Sequence, residues 1–184
     1  MKKPKMQDHK NDNFISPAST VTWEEVYKTY SRKMYSVCLR YARNTEEAQD
    51  VLHDGFLKVF SCLNEYKGTG SLEGWIRRIM VRTAINNYRV YDSRYFIIED
   101  SEEILETEGI SVEDSISADE LMAHINTLPD GYRIIFNMYV IEGYKHNEIA
   151  ELLGISESTS KTQLMKARKV LMKKINKHIY EKTY

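Results

Sequence analysis

Three sets of residues carry spacings that could do chemistry. Arg78, Arg82, Asn86 and Arg89 recur every three or four residues, so on a helix they form one basic and amide stripe. Such a stripe reads either as a solvated face or as a surface for a polyanion, and only Glu73 lies near its start to pair with it. Lys161, Thr162, Met165, Lys166 and Lys169 share a second face, opposite the inward spacing of Leu164, Ala167 and Leu171. Side chains of that kind suit a major groove, where they reach phosphates and base edges. Asp50, His53, Asp54 and Leu57 make a third, acidic face, open to two readings: a solvated surface, or a docking patch for a basic partner. Enzymatic chemistry is not indicated. The histidines at 9, 53, 124, 146 and 178 are scattered, with no HExxH, Walker loop, dinucleotide fingerprint or GxSxG, so no catalytic residue, metal or cofactor is expected.

The elements that position these residues all read as helices. Thr22 and Glu25 form a capping box ahead of Trp23, Val26, Tyr27, Tyr30, Met34, Val37, Cys38 and Tyr41 at helical spacing. Asn44 and Thr45 restart the chain for a second helix, with Ala48, Val51, Leu52, Val59, Phe60 and Leu63 as its inward set. A loop containing Gly68, Gly70 and Gly74 follows, and Ser71 caps a third helix marked by Trp75, Ile76, Ile79, Met80, Ala84 and Tyr88. Tyr66 and Trp75 beside that loop suit base stacking, although Trp75 fits a core as well. Ser117 and Glu120 open another helix, Leu128-Pro129 ends it, and YRIIFNMYVIE is expected to run as one helix to Gly143. Finally, Lys145–Lys174 reads as a helix-turn-helix: Ile149, Ala150, Leu152 and Leu153 face inward, Gly154 ends the first helix, and Ser156 caps the second.

The net charge of −1 conceals a partition along the chain. Residues 1–92 carry about +4, residues 93–120 about −9 and residues 121–184 about +4. The sequence therefore predicts an all-α protein with a polar tail at 1–21, a small helical domain at 22–92, an acidic flexible linker at 93–116 and a helix-turn-helix domain at 117–184. Cys38 and Cys62 form no disulfide framework or zinc pattern, which fits a reducing cytoplasm. No apolar run reaches the ~20 residues of a membrane span, so no membrane insertion is expected.

The order of these pieces resembles the extracytoplasmic-function (ECF) sigma factors of bacterial RNA polymerase, within the sigma-70-like family. TEEAQDVLHDGFLKVF is similar to that family's core-binding segment, SLEGWIRRIMVRTAINNYR to its promoter-melting segment, and LP, EIAELLGIS and KARKVL to the domain that reads the −35 element. The resemblance implies a protein that binds core RNA polymerase and promoter DNA, with an anti-sigma factor as a further partner. Asp50, His53, Asp54, Phe56 and Leu57 would dock on core polymerase. Lys67, Gly68, Thr69 and Ser71 belong to the loop that would capture a flipped −10 base, and Arg77, Arg78, Arg82, Asn86 and Asn87 would hold the separated strand. Ser158, Thr159, Lys161, Thr162, Met165, Lys166, Arg168 and Lys169 would read the −35 element, and the acidic linker would thread the polymerase cleft. Three residues depart from the family pattern: Arg82 replaces a common Asn, Gly55 a helix-favouring residue, and Ser160 an inward Val. The Ser160 hydroxyl is expected to bond a carbonyl of the preceding turn. The competing reading is a helix-turn-helix regulator that binds duplex DNA without core polymerase.

Overall fold

The computed structural model describes residues 22–91 and 116–183, and among these every regular element is helical. The expected tail, and the expected linker apart from residue 116, lie outside the described residues.

The first three helices are α1 (Trp23–Leu39), α2 (Thr45–Cys62) and α3 (Leu72–Tyr91). The predicted capping box starts α1, with Glu25 N–H donating to Thr22 Oγ1 at 3.3 Å and Thr22 N–H to Glu25 Oε2 at 3.0 Å. Asn44 caps α2 by accepting from Glu47 N–H at 2.7 Å, an arrangement that contributes about 1 kcal/mol. The core between the three helices is built from Val26, Met34, Val37 and Cys38 of α1, Val51, Phe56 and Val59 of α2, and Ile76, Met80, Val81 and Ile85 of α3. Leu52 and Phe60, expected inside, are only partly buried, whereas Phe56 is 2% exposed. Gly55 explains the departure from a helix-favouring residue. A Cβ there would run into the sulfur of Met80, itself fully buried, so glycine permits the close approach of α2 and α3.

The remaining helices are α4 (Ala118–Asn126), α5 (Asp130–Phe136), α6 (His146–Leu153) and α7 (Glu157–Thr183). Ser117 and Glu120 form the predicted capping box of α4. Two elements differ from the sequence expectation. The single helix predicted up to Gly143 becomes α5 followed by a π turn at Asn137–Ile141, in which Glu142 N–H donates to Asn137 O at 3.0 Å. An i+5 bond widens the helix by one residue and brings Glu142 back over Asn137, where an α-helix would set them well apart. Gly143, at φ 77°, then turns the chain. The last helix also continues beyond the expected Lys174, because α4 packs along its C-terminal half: Lys174 Nζ donates to Thr127 O and Thr127 Oγ1, both at 2.8 Å.

The two groups of helices meet. α3 lies against α6, Asn137 Nδ2 donates to Arg40 O at 2.9 Å, and Arg133 Nη2 reaches Tyr41 O at 3.4 Å.

Candidate nucleic-acid interface

The sharp corner between α6 and α7 is built by local chemistry. Gly154 takes the left-handed conformation at φ 69°, and Ser156 Oγ accepts from Thr159 N–H at 3.0 Å to start α7. Behind the corner, Ile149, Leu153, Leu164, Ala167 and Leu171 are buried. Their burial forces the opposite face of α7 outward: Ser158, Lys161, Thr162, Met165, Arg168 and Lys169 are exposed, with Thr159 and Lys166 half-buried. Lys161 pairs with Glu157 one turn earlier at 2.8 Å, and that lysine holds the exposed carboxyl below its usual range. Arg168 lies 6.0 Å over the Tyr139 ring, which in turn stacks on His146. The Ser160 hydroxyl meets His146 Nδ1 at 2.9 Å rather than a carbonyl of the preceding turn. The result is a convex basic helix face held rigidly on a buried base, the shape that a major groove accepts.

The glycine loop and α3 make a second surface. Gly68 and Gly70 adopt φ 72° and 82°, conformations that other residues rarely take. The loop is closed by Tyr66 Oη, which donates to Gly70 O at 2.7 Å, and by Ser71 Oγ, which accepts from Gly74 N–H at 3.1 Å. Lys67, Gly68, Thr69 and Ser71 stay exposed, and the Tyr66 and Trp75 rings lie 5.5 Å apart beneath them. Arg78, Arg82 and Asn86 are exposed along α3. The Arg89 side chain lies outside the described residues. Two of the five strand-holding candidates, Arg77 and Asn87, come from the resemblance rather than from the stripe, and they lie to either side of it. Asn87 lines a cleft with Asp50, His53 and Asp54 of α2, and Arg77 is engaged by Glu142 from the other group of helices.

On α2, Asp50, His53, Asp54 and Leu57 are exposed together, Leu57 at 55%. Phe56 does not join them. It lies inside against Tyr27, 4.8 Å between ring centres, and against Phe60, because position 56 falls on the helix face turned toward α1.

Sequence reasoning missed the contact around Glu142. Its side chain, 6% exposed, accepts from Arg77 Nε at 2.6 Å, Arg77 Nη2 at 3.0 Å and Arg40 Nη2 at 3.1 Å. The carboxylate holds the Arg77 guanidinium above its usual pKa, mainly through that hydrogen bonding. Nearby, burial pushes the Tyr41 hydroxyl well up, and the Glu142 charge adds to this. The one signal in the sequence was Asn137, a polar residue placed within an otherwise apolar run.

Comparison with known proteins bears on both groups of helices. Residues 26–94 match the family model for sigma-70 region 2, and residues 118–171 match that for sigma-70, region 4. The chain belongs to the ECF group of the sigma-70 family. Within that group it is similar to the ECF RNA polymerase sigma factor SigW of Bacillus subtilis, 25% identical over 166 residues that cover 82% of this chain and 87% of that protein. It is likewise similar to RNA polymerase sigma factor YlaC of the same organism, 27% identical with 84% and 92% covered. A solved structure of the sigma factor RpoE from Bartonella quintana, in complex with the anti-sigma factor NepR, shares the fold at a TM-score of 0.50 and 15% identity, covering 84% of this chain and 96% of that one. As expected for a member of this family, α6 and the first part of α7, up to residue 171, fall within region 4, and the glycine loop with α3 falls within region 2.

Proposed function

We infer that this protein is a sigma factor that binds core RNA polymerase and directs it to promoters. The observation that carries this reading is the presence, in order on one chain, of region 2 and region 4. In this reading residues 22–92 bind core polymerase and melt the −10 element, residues 117–184 read the −35 element, and the acidic segment at 93–116 joins them. Asp50, His53, Asp54 and Leu57 form the docking patch, with Phe56 supporting it from within. The exposed loop at 67–71 receives an unstacked base, at a cost of a few kcal/mol that stacking and polar contacts at the loop offset, while Arg77, Arg78, Arg82, Asn86 and Asn87 hold the strand backbone. Ser158, Thr159, Lys161, Thr162, Met165, Lys166, Arg168 and Lys169 form the groove-facing set. Tethering through core polymerase raises the effective concentration of this helix at its site, so modest affinity in isolation suffices.

The same reading makes the protein a DNA-binding regulator without a reaction of its own, working in the cytoplasm, with an anti-sigma factor as a partner. Run-off transcription with core polymerase tests it: the chain is expected to confer initiation at a subset of promoters. Tight duplex binding by the chain alone, with no specific transcript from any promoter, would instead identify a regulator that acts without core polymerase.

A further inference from the structure

The contact between the two groups of helices is polar and incompletely satisfied. Its centre is the Glu142 carboxylate, gripped through both oxygens by Arg77 and Arg40. Around it, Arg40 Nε, Tyr41 Oη, Arg133 Nε and Asn137 Oδ1 are buried without a hydrogen-bond partner among the described residues. Buried polar atoms are ordinarily paired, and a half-satisfied network holds two surfaces together less firmly than an apolar one. Such a contact suits an interface that closes and releases. A carboxylate held in the fork of a guanidinium also presents the same pair of oxygens that a phosphate would. The π turn is what aims it, since the widened turn places Asn137 and Glu142 together against the end of α1 and the side of α3.

We propose that Glu142 is an internal phosphate mimic: in the free chain it occupies Arg77 and latches residues 116–183 onto residues 22–91, and the backbone of a bound DNA strand exchanges with it. The exchange half rests on the strand-holding role given to α3 above; the latch half does not. The cleft at this contact is lined by Arg77, Arg78 and Arg82 on one side and by Glu142, Tyr144 and Glu148 on the other, so opening frees Arg77 to join the two arginines already exposed along α3 and removes the facing carboxylates. The apparent affinity of the free chain for single strands is then its intrinsic affinity multiplied by the fraction of molecules that are open.

The test uses the full chain and three variants: Glu142→Gln, which keeps the shape and removes the charge, Arg40→Gln, which loosens the clamp without touching a residue assigned to DNA, and Arg77→Ala, which removes the shared guanidinium. Small-angle scattering reads the radius of gyration, and fluorescence anisotropy reads binding of a labelled oligodeoxythymidylate. Both Gln variants are expected to expand the chain and to bind the oligonucleotide about fivefold or more tightly. Arg77→Ala is expected to expand it and to bind less. An unchanged radius in both Gln variants overturns the latch, and expansion with no gain in affinity overturns the exchange. Circular dichroism confirms folding; if Glu142→Gln does not fold, Arg40→Gln decides on the same two readouts. Run-off transcription with the wild-type chain reads the sigma function separately, and its failure leaves the scattering result standing.

Discussion

His146 Nδ1 lies 2.9 Å from the hydroxyl oxygen of Ser160, which joins the first residue of α6 to a completely buried side chain of α7. The hydroxyl can serve as donor or acceptor, so this bond does not itself select the protonation state of the ring. Burial does, and Lys161 and Arg168 add to it, together lowering the histidine pKa from 6.5 against the opposing pull of Glu157. A lowered folded pKa means that the neutral ring is the one the fold prefers. Its contribution to stability is present above pH 6.5 and is lost as the pH falls through the lower folded value. Thermal unfolding is therefore expected to weaken more steeply for wild type than for His146→Asn below pH 6.5, and parallel profiles would remove His146 as the cause. Ser160→Ala is expected to cost about 1 kcal/mol at pH 7.5, measured by denaturant unfolding.

Gly55 yields a prediction of opposite sign to helix propensity. On an isolated helix, alanine would gain up to ~1 kcal/mol over glycine. Here the added methyl group meets Met80 in a closed core, and overpacking of this kind costs ~1–3 kcal/mol. Gly55→Ala is expected to destabilise by about 1 kcal/mol net, and to cost less in a Met80→Ala background, where the sulfur is gone. A gain in stability for the single variant would mean that α2 and α3 do not approach so closely.

These two contacts show where the sequence was legible. Caps and stripes depend on residues three or four apart, and Thr22 with Glu25, Ser117 with Glu120, Ser156, Gly154 and the Leu164-Ala167-Leu171 face were all readable on that scale. Gly55 against Met80, Ser160 against His146 and Glu142 against Arg77 depend on how helices lie side by side, which no local period encodes. The C-terminal extension of α7 was hidden for a related reason. Residues 172–183 carry a weak apolar stripe and owe their helix to contacts with α4, such as Lys174 with Thr127.

Asp54 tests the docking patch on α2. It is exposed, lines a cleft with Asp50 and His53, and supports no core contact, so Asp54→Lys is expected to change stability by no more than about 0.5 kcal/mol. A like charge placed against a basic partner surface slows association and weakens the complex, here by about tenfold or more. Retention of core polymerase on immobilised protein measures this, and normal retention would reject the patch. Phe56→Ala separates support from contact. Its buried ring predicts a loss of ~3–5 kcal/mol in stability, seen in unfolding before any defect in binding.

The groove-facing set is tested at Lys161 and Lys166. Among the described residues Lys161 pairs with the exposed Glu157, a solvent-screened contact of little weight, so Lys161→Ala leaves the helix intact. Lys166, half-buried on the same face, offers a second point along the groove. A lysine on a phosphate predicts weaker binding to every sequence and a salt slope lower by about one; a lysine on a base edge predicts a loss of ~1–3 kcal/mol confined to the matching promoter. Titrations of holoenzyme against promoter and scrambled duplexes at several salt concentrations distinguish the two roles. If both variants kept the wild-type affinity and slope on both duplexes, the DNA-reading face would have to lie elsewhere on α7, nearer the exposed Arg168 and Lys169.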